Sequence, residues 1–305
     1  MNIMVLGESL MDCISQPDGS LRPLIGGSPY NLARAASLQG AAVGYLNPTS
    51  TDVFGGQLRS QLLADGVALV GAPSPLPTSL AVVNVREGQP SYGFYREGIA
   101  DRDYTATEIF ESLRALKPGI LHTGSLMLIP PESDKVLAVL AGAKDMGWTI
   151  SIDVNMRPSV APDLPSYVAA VKSVAALADW LKASDEDLEI LGFDTCTREH
   201  APTMAAHFLG QGTSRVALTY GGDGAYLAVD AQAAHADVPV VTIADTVGAG
   251  DTFWGNCLAL WSAMTEAQAQ DQVAQTLRHA MRAAAINCTR QGCNPPTREE
   301  VLATI

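Results

Sequence analysis

The stretch 245–253, Asp-Thr-Val-Gly-Ala-Gly-Asp-Thr-Phe, combines two carboxylates with a run of small residues. Apolar residues at helical spacing follow it, which predicts a loop that passes through Gly248, Ala249 and Gly250 and continues as a helix. Small residues let backbone N–H groups approach a ligand, and a helix N-terminus adds a partial positive charge of roughly half an electron. The stretch therefore predicts an anion site without a lysine. Asp251 beside a bound phosphoryl group would handle a proton or a cation, and a simple helix N-cap is the alternative interpretation.

The stretch 26–33, Gly-Gly-Ser-Pro-Tyr-Asn-Leu-Ala, predicts the start of another helix, with Ser28 as its N-cap. Asn31 then lies in the first turn, beside Gly26 and Gly27, whose backbone can approach a small ligand. Asp12 follows the first predicted strand and is expected at the same edge, where its carboxylate can accept two hydroxyl hydrogen bonds. This set fits a polyol, and an ordinary capped helix with Asn31 at the surface is the alternative.

Three further polar segments each follow a predicted strand: 153–157, 182–187 and 219–224. Ligands of parallel sheets usually bind beyond the carboxyl ends of the strands, so these segments are expected to line the same site. Taken singly they are also compatible with turns and caps, and the segment 184–185 could simply begin a helix.

Short apolar runs that alternate with helical patterns must position these residues. The segment 132–146 has one apolar face and ends before Gly147, as expected for a helix with a glycine stop. The alternation predicts an α/β fold with a mostly parallel central sheet flanked by helices. The runs interpreted as buried strands are 3–6, 120–121, 148–152, 180–181 and 216–218.

Two segments interrupt this alternation. The segment 10–24 contains a Pro-Asp-Gly turn, and the segment 79–96 has two strand-like arms around a Glu-Gly-Gln-Pro turn. Both are predicted to be hairpins. We expect them to form a small β flap over the ligand edge of the sheet.

Composition narrows the possible functions. The 305 residues are 47% hydrophobic, which is ample for a folded core, and carry a net charge of −13, which argues against binding nucleic acid through bulk positive charge. Five cysteines without paired spacing favour reduced thiols, and no leader or membrane-spanning run is recognisable, so a cytoplasmic location is expected. P-loop, dinucleotide-binding and zinc-hydrolase motifs are absent.

The stretches 245–253 and 26–33 resemble the C-terminal and N-terminal signatures of the ribokinase-like (PfkB) sugar kinases, and their order and separation match over nearly the whole chain. The resemblance implies a single Rossmann-like domain over 1–305, with a β-sheet lid formed from about 10–24 and 79–101. It also implies ATP-dependent phosphorylation of a sugar hydroxyl.

The resemblance further implies roles for individual residues. Asp251 would be the general base, and N–H groups around Gly248, Ala249 and Gly250 would stabilise the transferred phosphoryl group. The implied sugar-binding residues are Asp12, Gly26, Gly27 and Asn31, with Tyr95, Arg96 and Asp101 from the lid.

ATP and Mg²⁺ are the implied cofactors, together with a monovalent cation such as K⁺ in many members. Arg157 would face phosphate, and Ser184 and Asp187 stand where the family has its N-x-x-E element, which belongs to the magnesium and phosphate network. The implied cation region comprises Asp245, Val247, Asn287 and Gly292. The implied nucleotide-binding residues are Asn155, Thr219, Gly221, Gly222 and Gly224.

The lid stretch Phe94, Tyr95 and Arg96, followed by Ala100 and Asp101, is similar to that of fructokinases, which favours fructose as the substrate. A 2-keto-3-deoxygluconate kinase, with an arginine on the substrate carboxylate, is the enzyme alternative. A catalytically silent sugar- or nucleotide-binding regulator is the alternative from another class. The resemblance, together with exposed lid edges and aromatic residues, also implies a homodimer formed through the lid.

Overall fold

The computed structural model describes residues 2–86 and 89–303, and for residues 83–86 and 89–92 it describes the backbone alone. Within this part the chain forms two sheets and 11 α-helices. The predicted α/β architecture is confirmed, with a large, mostly parallel sheet between layers of helices and a smaller second sheet. None of the described helices is both long enough and apolar enough to cross a membrane.

The central sheet has nine strands in the order β13-β12-β11-β10-β9-β8-β1-β4-β5. The strands from β11 to β5 in that order run parallel, and the hairpin β12–β13 extends one edge in antiparallel fashion. The strands are β1 Ile3–Val5, β4 Val43–Tyr45, β5 Ala68–Leu69, β8 Ile120–Gly124, β9 Thr149–Asp153, β10 Trp180–Ser184, β11 Arg215–Thr219, β12 Ala225–Val229 and β13 Gln232–Ala236.

The second sheet has four strands in the order β3-β2-β6-β7, and we call it the lid sheet. Both predicted hairpins are present, and β2 of the first pairs in parallel with β6 of the second. The turn expected at 87–88 lies outside the described residues. The strands are β2 Leu10–Ser15, β3 Leu21–Gly26, β6 Ser79–Arg86 and β7 Gln89–Tyr95.

Helices cover both faces of the central sheet, so two apolar cores form, one on each side. One core packs beneath α3, α4, α5 and α7, and the other packs beneath α1, α2, α8 and α10. The helices are α1 Ser28–Leu38, α2 Val53–Ala64, α3 Ala106–Arg114, α4 Glu132–Asp145, α5 Leu164–Ala175, α6 Asp185–Ile190, α7 Ala201–Leu209, α8 Ala249–Ser262, α9 Glu266–Asp271, α10 Val273–Cys288 and α11 Arg298–Ala303.

Three tryptophans fix α8 against the central sheet. The ring of Trp261 lies 5.3 Å from that of Trp180 and 5.4 Å from that of Trp254, both in edge-to-face geometry. The Arg215 guanidinium stacks 4.0 Å from the Trp180 ring centroid. The indole N–H of Trp254 donates to Ser151 Oγ at 3.0 Å, which ties the helix to β9. These contacts hold α8 against the central sheet.

Candidate active site

A cavity of about 940 Å³ opens at the carboxyl ends of the parallel strands and extends to the lid sheet. Most of the predicted site residues line it, although they come from segments that are far apart in sequence. The predicted residues in its lining are Asp12, Gly27, Asn31, Asn155, Arg157, Ser184, Thr219, Gly221, Gly224, Asp245, Val247, Gly248, Ala249, Gly250, Asp251 and Gly292.

Helix α8 starts at the floor of this cavity. Its N-cap is Gly248, in the left-handed conformation with φ of 74°, and a Cβ there would overlap Cys293 Sγ. Asp251 lies within the first turn and is buried, so the N-cap interpretation of this residue is wrong. The turn instead presents backbone N–H groups and one buried carboxylate to the cavity.

Both carboxylate oxygens of Asp251 accept hydrogen bonds. Ser28 Oγ donates to Oδ1 at 2.7 Å, and Asn31 Nδ2 donates to Oδ2 at 3.0 Å. Burial raises the pKa of Asp251, while these two bonds and the nearby Lys182 and Arg157 act to lower it. The result is a fixed carboxylate with raised basicity, as a proton acceptor at this position requires.

Ser28 does not cap α1, contrary to the prediction. Gly27, with φ of 110°, precedes the helix, and the Ser28 side chain is left to contact Asp251. The Ser28 backbone N–H donates to Glu8 Oε1 at 3.2 Å, so a carboxylate from another segment satisfies this helix terminus. Burial raises the pKa of Glu8 to about 7. Sequence reasoning missed Ser28 and Glu8 as site residues, because their contacts join segments that are distant in the chain.

Asp12 lies on β2 and projects from the lid sheet into the cavity. Burial raises its pKa to about 6, with Arg157 acting to lower it and Asp251 acting to raise it. Gly26 is outside the cavity lining but packs behind Asp12, and a Cβ at this glycine would overlap the Asp12 carboxylate. Gly26 therefore leaves room for Asp12.

The predicted anion site does contain a lysine, which corrects the expectation that it would lack one. Lys182 on β10 is buried, and its Nζ lies 2.8 Å and 2.9 Å from the two carboxylate oxygens of Asp153. Lys182 Nζ also lies 3.3 Å from the position of a Cβ built on Gly250. The polar segments after β9 and β10 thus place a cation directly under the first turn of α8.

Asn155 and Arg157 follow β9 at the cavity wall. Asn155 has φ of 37°, a conformation that non-glycine residues rarely adopt, and its Nδ2 donates to Ser28 Oγ at 2.8 Å. Arg157 Nη1 donates to Asn155 Oδ1 at 2.6 Å and to the Met156 carbonyl at 2.9 Å. These bonds hold the guanidinium at the cavity edge.

The far end of the cavity combines a glycine turn with an apolar wall. Thr219, Gly221 and Gly224 line it after β11, whereas Gly222 lies outside the lining. Ser184 also lines it, although its hydroxyl oxygen accepts the Asp187 N–H at 3.1 Å as the N-cap of α6. An apolar wall faces this end, formed by Val238, Val241, Ile243, Met281, Ala284, Ala285 and Cys288.

Both carboxylate oxygens of Asp187 accept backbone N–H groups, and its contact with a metal stays a prediction. Its Oδ1 accepts the Met156 N–H at 2.7 Å, its Oδ2 accepts the Ser184 N–H at 2.8 Å, and the residue is buried outside the cavity lining. The described residues contain no cluster of three or more His, Cys, Asp or Glu side chains suited to a metal ion.

The four residues of the predicted cation region lie together. Asp245 Oδ1 accepts the Val247 N–H at 3.0 Å, and Oδ2 accepts the Gly292 N–H at 2.9 Å. Asn287 Nδ2 donates to the Val247 carbonyl at 2.8 Å from behind the cavity lining. Two loops are thereby joined beside the start of α8.

The lid residues predicted to bind sugar do not reach the cavity. Arg96 and Asp101 are buried and form an ion pair, with 3.2 Å between Arg96 Nη1 and Asp101 Oδ2. Tyr95 is 64% exposed, and all three lie outside the cavity lining, which instead includes Phe94. Arg96 pairs with Asp101 because burial of an arginine requires a counter-charge.

A buried carboxylate at a helix N-terminus on the floor of a cavity is the arrangement expected of a phosphotransferase, and comparison with known proteins identifies the class. Residues 1–300 match the pfkB family carbohydrate kinase model, and the chain belongs to this family. It is a carbohydrate kinase. Curated relatives include a fructokinase from Rhizobium leguminosarum bv. trifolii, 32% identical over 262 residues, which are 84% of this chain and 78% of that protein.

Two other curated relatives differ in substrate. A fructokinase from Vibrio alginolyticus is 28% identical over 99% of this chain and 98% of its own length. A 2-dehydro-3-deoxygluconokinase from Bacillus subtilis (strain 168) is 28% identical over 83% of this chain and 81% of its own length. The names of these relatives therefore include kinases of a neutral sugar and of a sugar acid.

Solved structures share the fold. A fructokinase from Xylella fastidiosa with bound ATP superposes with a TM-score of 0.85 at 24% identity, covering 99% of this chain and 97% of that one. A fructokinase double mutant from Vibrio cholerae O395, with fructose, ADP and a potassium ion bound, gives the same values.

Proposed function

We propose that this carbohydrate kinase is a fructokinase that transfers the γ-phosphoryl group of ATP to a hydroxyl of fructose. The observation that carries the proposal is the buried Asp251 carboxylate at the N-terminus of α8, held by Ser28 and Asn31 at the floor of the cavity. A proton acceptor and a set of anion-binding N–H groups thus occupy a single turn of helix.

The sugar end of the cavity is formed by the lid sheet and α1. Asp12 can accept hydrogen bonds from two sugar hydroxyls, and Gly27 lets a ligand approach the backbone. Asn31 lies beside both and already contacts Asp251. A hydroxyl of a sugar bound to Asp12 would therefore face the proton acceptor.

The chemical step requires little from the protein beyond position and charge. Asp251 takes the proton of the attacking sugar hydroxyl while the oxygen of that hydroxyl forms the new bond to the γ-phosphorus. The bond between that phosphorus and the bridging oxygen breaks, and ADP leaves with the electron pair. Backbone N–H groups at Gly248 and Gly250, together with Lys182, would stabilise the transferred group, because they are fixed before the reaction begins. The Ala249 N–H donates to the Thr246 carbonyl at 3.2 Å and would have to exchange that bond to take part.

ATP would lie along the segments after β9, β10 and β11. Arg157 supplies charge for phosphate, the glycine turn at Gly221 and Gly224 lets the backbone approach it, and the apolar wall accepts the base. Mg²⁺ usually binds through substrate phosphates, one or two carboxylates and waters. Mg²⁺ would neutralise phosphate charge when bound.

A monovalent cation is also part of the proposal. The loops that contain Asp245, Val247, Asn287 and Gly292 bring the Asp245 carboxylate and the Val247 carbonyl oxygen together near the start of α8. Oxygen donors of this type suit K⁺. A cation there would stabilise the loop that precedes Gly248.

Arg96 favours a neutral sugar over a sugar acid. An arginine that recognised a substrate carboxylate would have to reach the cavity, but Arg96 is buried against Asp101 and Ser79 outside the lining. Its Nη1 donates to Asp101 and Ser79, so the guanidinium is directed away from the cavity in which a substrate carboxylate would lie. We therefore propose fructose, and not 2-keto-3-deoxygluconate, as the substrate.

Asp251→Asn tests the proposed base. The amide cannot accept the hydroxyl proton, so turnover with ATP and fructose should fall by roughly 10²- to 10⁴-fold, with the KM for fructose little changed. A coupled ADP assay measures both, and Asp134→Asn, at an exposed position on α4, is the matched control.

Turnover of folded Asp251→Asn close to that of the native protein would contradict the assignment of the base. The same assay with fructose, 2-keto-3-deoxygluconate, ribose and a nucleoside tests the substrate. A preference for the sugar acid would overturn the fructokinase proposal, and sugar binding without any ATP turnover would favour a regulator.

A further inference from the structure

Four side chains from three distant segments are hydrogen-bonded in series across the cavity floor. Arg157 Nη1 donates to Asn155 Oδ1 at 2.6 Å, Asn155 Nδ2 donates to Ser28 Oγ at 2.8 Å, and Ser28 Oγ donates to Asp251 Oδ1 at 2.7 Å. We call this series the Ser28 relay. It connects the cavity edge assigned to phosphate with the carboxylate assigned to the sugar hydroxyl.

The direction of the relay follows from the donors available. The Asn155 amide hydrogen occupies a lone pair of Ser28 Oγ, so the single hydroxyl hydrogen of Ser28 is left for Asp251. Arg157 can only donate, which fixes the orientation of the Asn155 amide. The relay is therefore polarised from the guanidinium towards the carboxylate.

The backbone supports the same interpretation. Asn155 has φ of 37°, and this strained conformation places its amide between Arg157 and Ser28. Ser28 lies one residue after Gly27, and the turn at that glycine directs the serine hydroxyl at Asp251 instead of at the helix terminus. The positive φ of Asn155 and the turn at Gly27 thus both orient Ser28 towards Asp251.

We propose that Ser28 is a positioning residue for phosphoryl transfer, which holds Asp251 in its reactive orientation and connects it through Asn155 to Arg157. The proposal rests on the proposed function, in which Asp251 is the base. Ser28 itself need not touch the substrate. Its hydroxyl fixes one carboxylate oxygen, and Asn31 fixes the other.

The relay also affects the protonation of Asp251. The Ser28 hydrogen bond stabilises the charged carboxylate against burial, so loss of the hydroxyl should raise the pKa of Asp251 further. Asp251 must be deprotonated to accept a proton, and the acidic limb of kcat should therefore move to higher pH. The other charged or titratable groups around it are Asp12, Asp153, Arg157, Lys182 and Cys293.

Ser28→Ala tests the proposal, because alanine fits the first position of a helix and leaves Asp251 with one donor fewer. We expect kcat for the best sugar to fall roughly 10- to 100-fold at neutral pH, and the acidic limb to rise by up to about one pH unit. The KM for ATP should stay near the native value. Ser37→Ala, on the same helix but away from the cavity, should keep the native kcat and the native acidic limb of the pH profile.

A double-mutant cycle with Asn155→Ala tests the connection. If both side chains act through one relay, Asn155→Ala should lower kcat much less in the Ser28→Ala variant than in the native protein. Equal decreases in kcat in both backgrounds would overturn the relay. A native pH profile of kcat for folded Ser28→Ala would overturn the positioning role. Native protein that phosphorylates no sugar would contradict the proposed function instead, so the two failures are distinguishable.

Discussion

At the scale of single residues, the buried charges of Lys182 and Asp251 are both compensated by neighbouring polar groups. Lys182 is buried against Asp153, and Asp251 is buried among hydrogen-bond donors. Removing one partner of such a pair leaves an uncompensated buried charge, which is more costly than replacing both. The anion site therefore depends on side chains beneath it as well as on the glycines that form it.

Asp12 gives the proposed sugar site a pH dependence. Burial raises its pKa to about 6, and only the charged carboxylate accepts two hydroxyl hydrogen bonds. The KM for fructose should therefore rise as the pH falls through about 6. Steady-state assays across the acid to neutral range would show this.

Asp12→Asn separates this effect from titration of Asp251. The variant should have a high KM that no longer changes in the acid range, while its kcat should still fall there. If the KM of the native protein for fructose stays constant in the acid range while its kcat falls, Asp12 does not titrate in contact with the sugar.

At the scale of elements, α6 is held by Asp187, which closes a capping box with Ser184 and also binds the Met156 N–H. Asp187→Ala would leave two N–H groups without partners, so the free energy of unfolding should fall by about 2–3 kcal/mol. Urea denaturation measures this loss. Glu189→Ala, at an exposed position on the same helix, should have little effect.

The same variant distinguishes a structural role for Asp187 from a metal-binding role. Because both of its oxygens accept backbone N–H groups, the Mg²⁺ concentration needed for half-maximal rate should stay near the native value. Native stability combined with a greatly increased Mg²⁺ requirement would instead support the predicted metal role of Asp187.

The elements that the sequence predicted are those with strong local signals. The buried strands, the helix from Glu132 and both lid hairpins are present, because apolar periodicity and turn residues specify them locally. Strands β4 and β5 were not predicted, since they have three and two residues and depend on neighbours in the sheet. The hairpin β12–β13 was also missed, and alanine-rich β13 carries little strand signal.

The site was predictable in its residue types but not in its contacts. Asp251 and most residues of the glycine-rich stretches line the cavity, whereas Gly26 and Gly222 lie outside its lining. Ser28 was assigned to the helix cap because local sequence favours that role, and its contacts with residues 127 and 223 positions away arise only in the folded chain. The same reason explains why the ion pair between Arg96 and Asp101 could not be predicted from the sequence.

At the scale of the whole molecule, the lid sheet leaves two edge strands, β3 and β7. Leu21 on β3 is 50% exposed and Tyr95 on β7 is 64% exposed. We propose that two copies of the chain pair through their lids, which would cover these edges.

Light scattering tests this assembly. The native protein should have the mass of a dimer, and Leu21→Asp should shift it towards the monomer, because burial of a new charge opposes association. Val240→Asp, a similar change at a fully exposed residue outside the lid sheet, should remain dimeric. A monomeric native protein at working concentration would contradict the proposal.

The tryptophan cluster that fixes α8 has a consequence for spectroscopy. All four tryptophans of the chain, Trp148, Trp180, Trp254 and Trp261, are buried in the main body, and the lid strands contain none. Trp254 lies one helical turn after Asp251, so intrinsic fluorescence would respond chiefly to events at the start of α8. Movement of the lid would leave little trace in that signal, and following it requires a dye or an added indole on the lid.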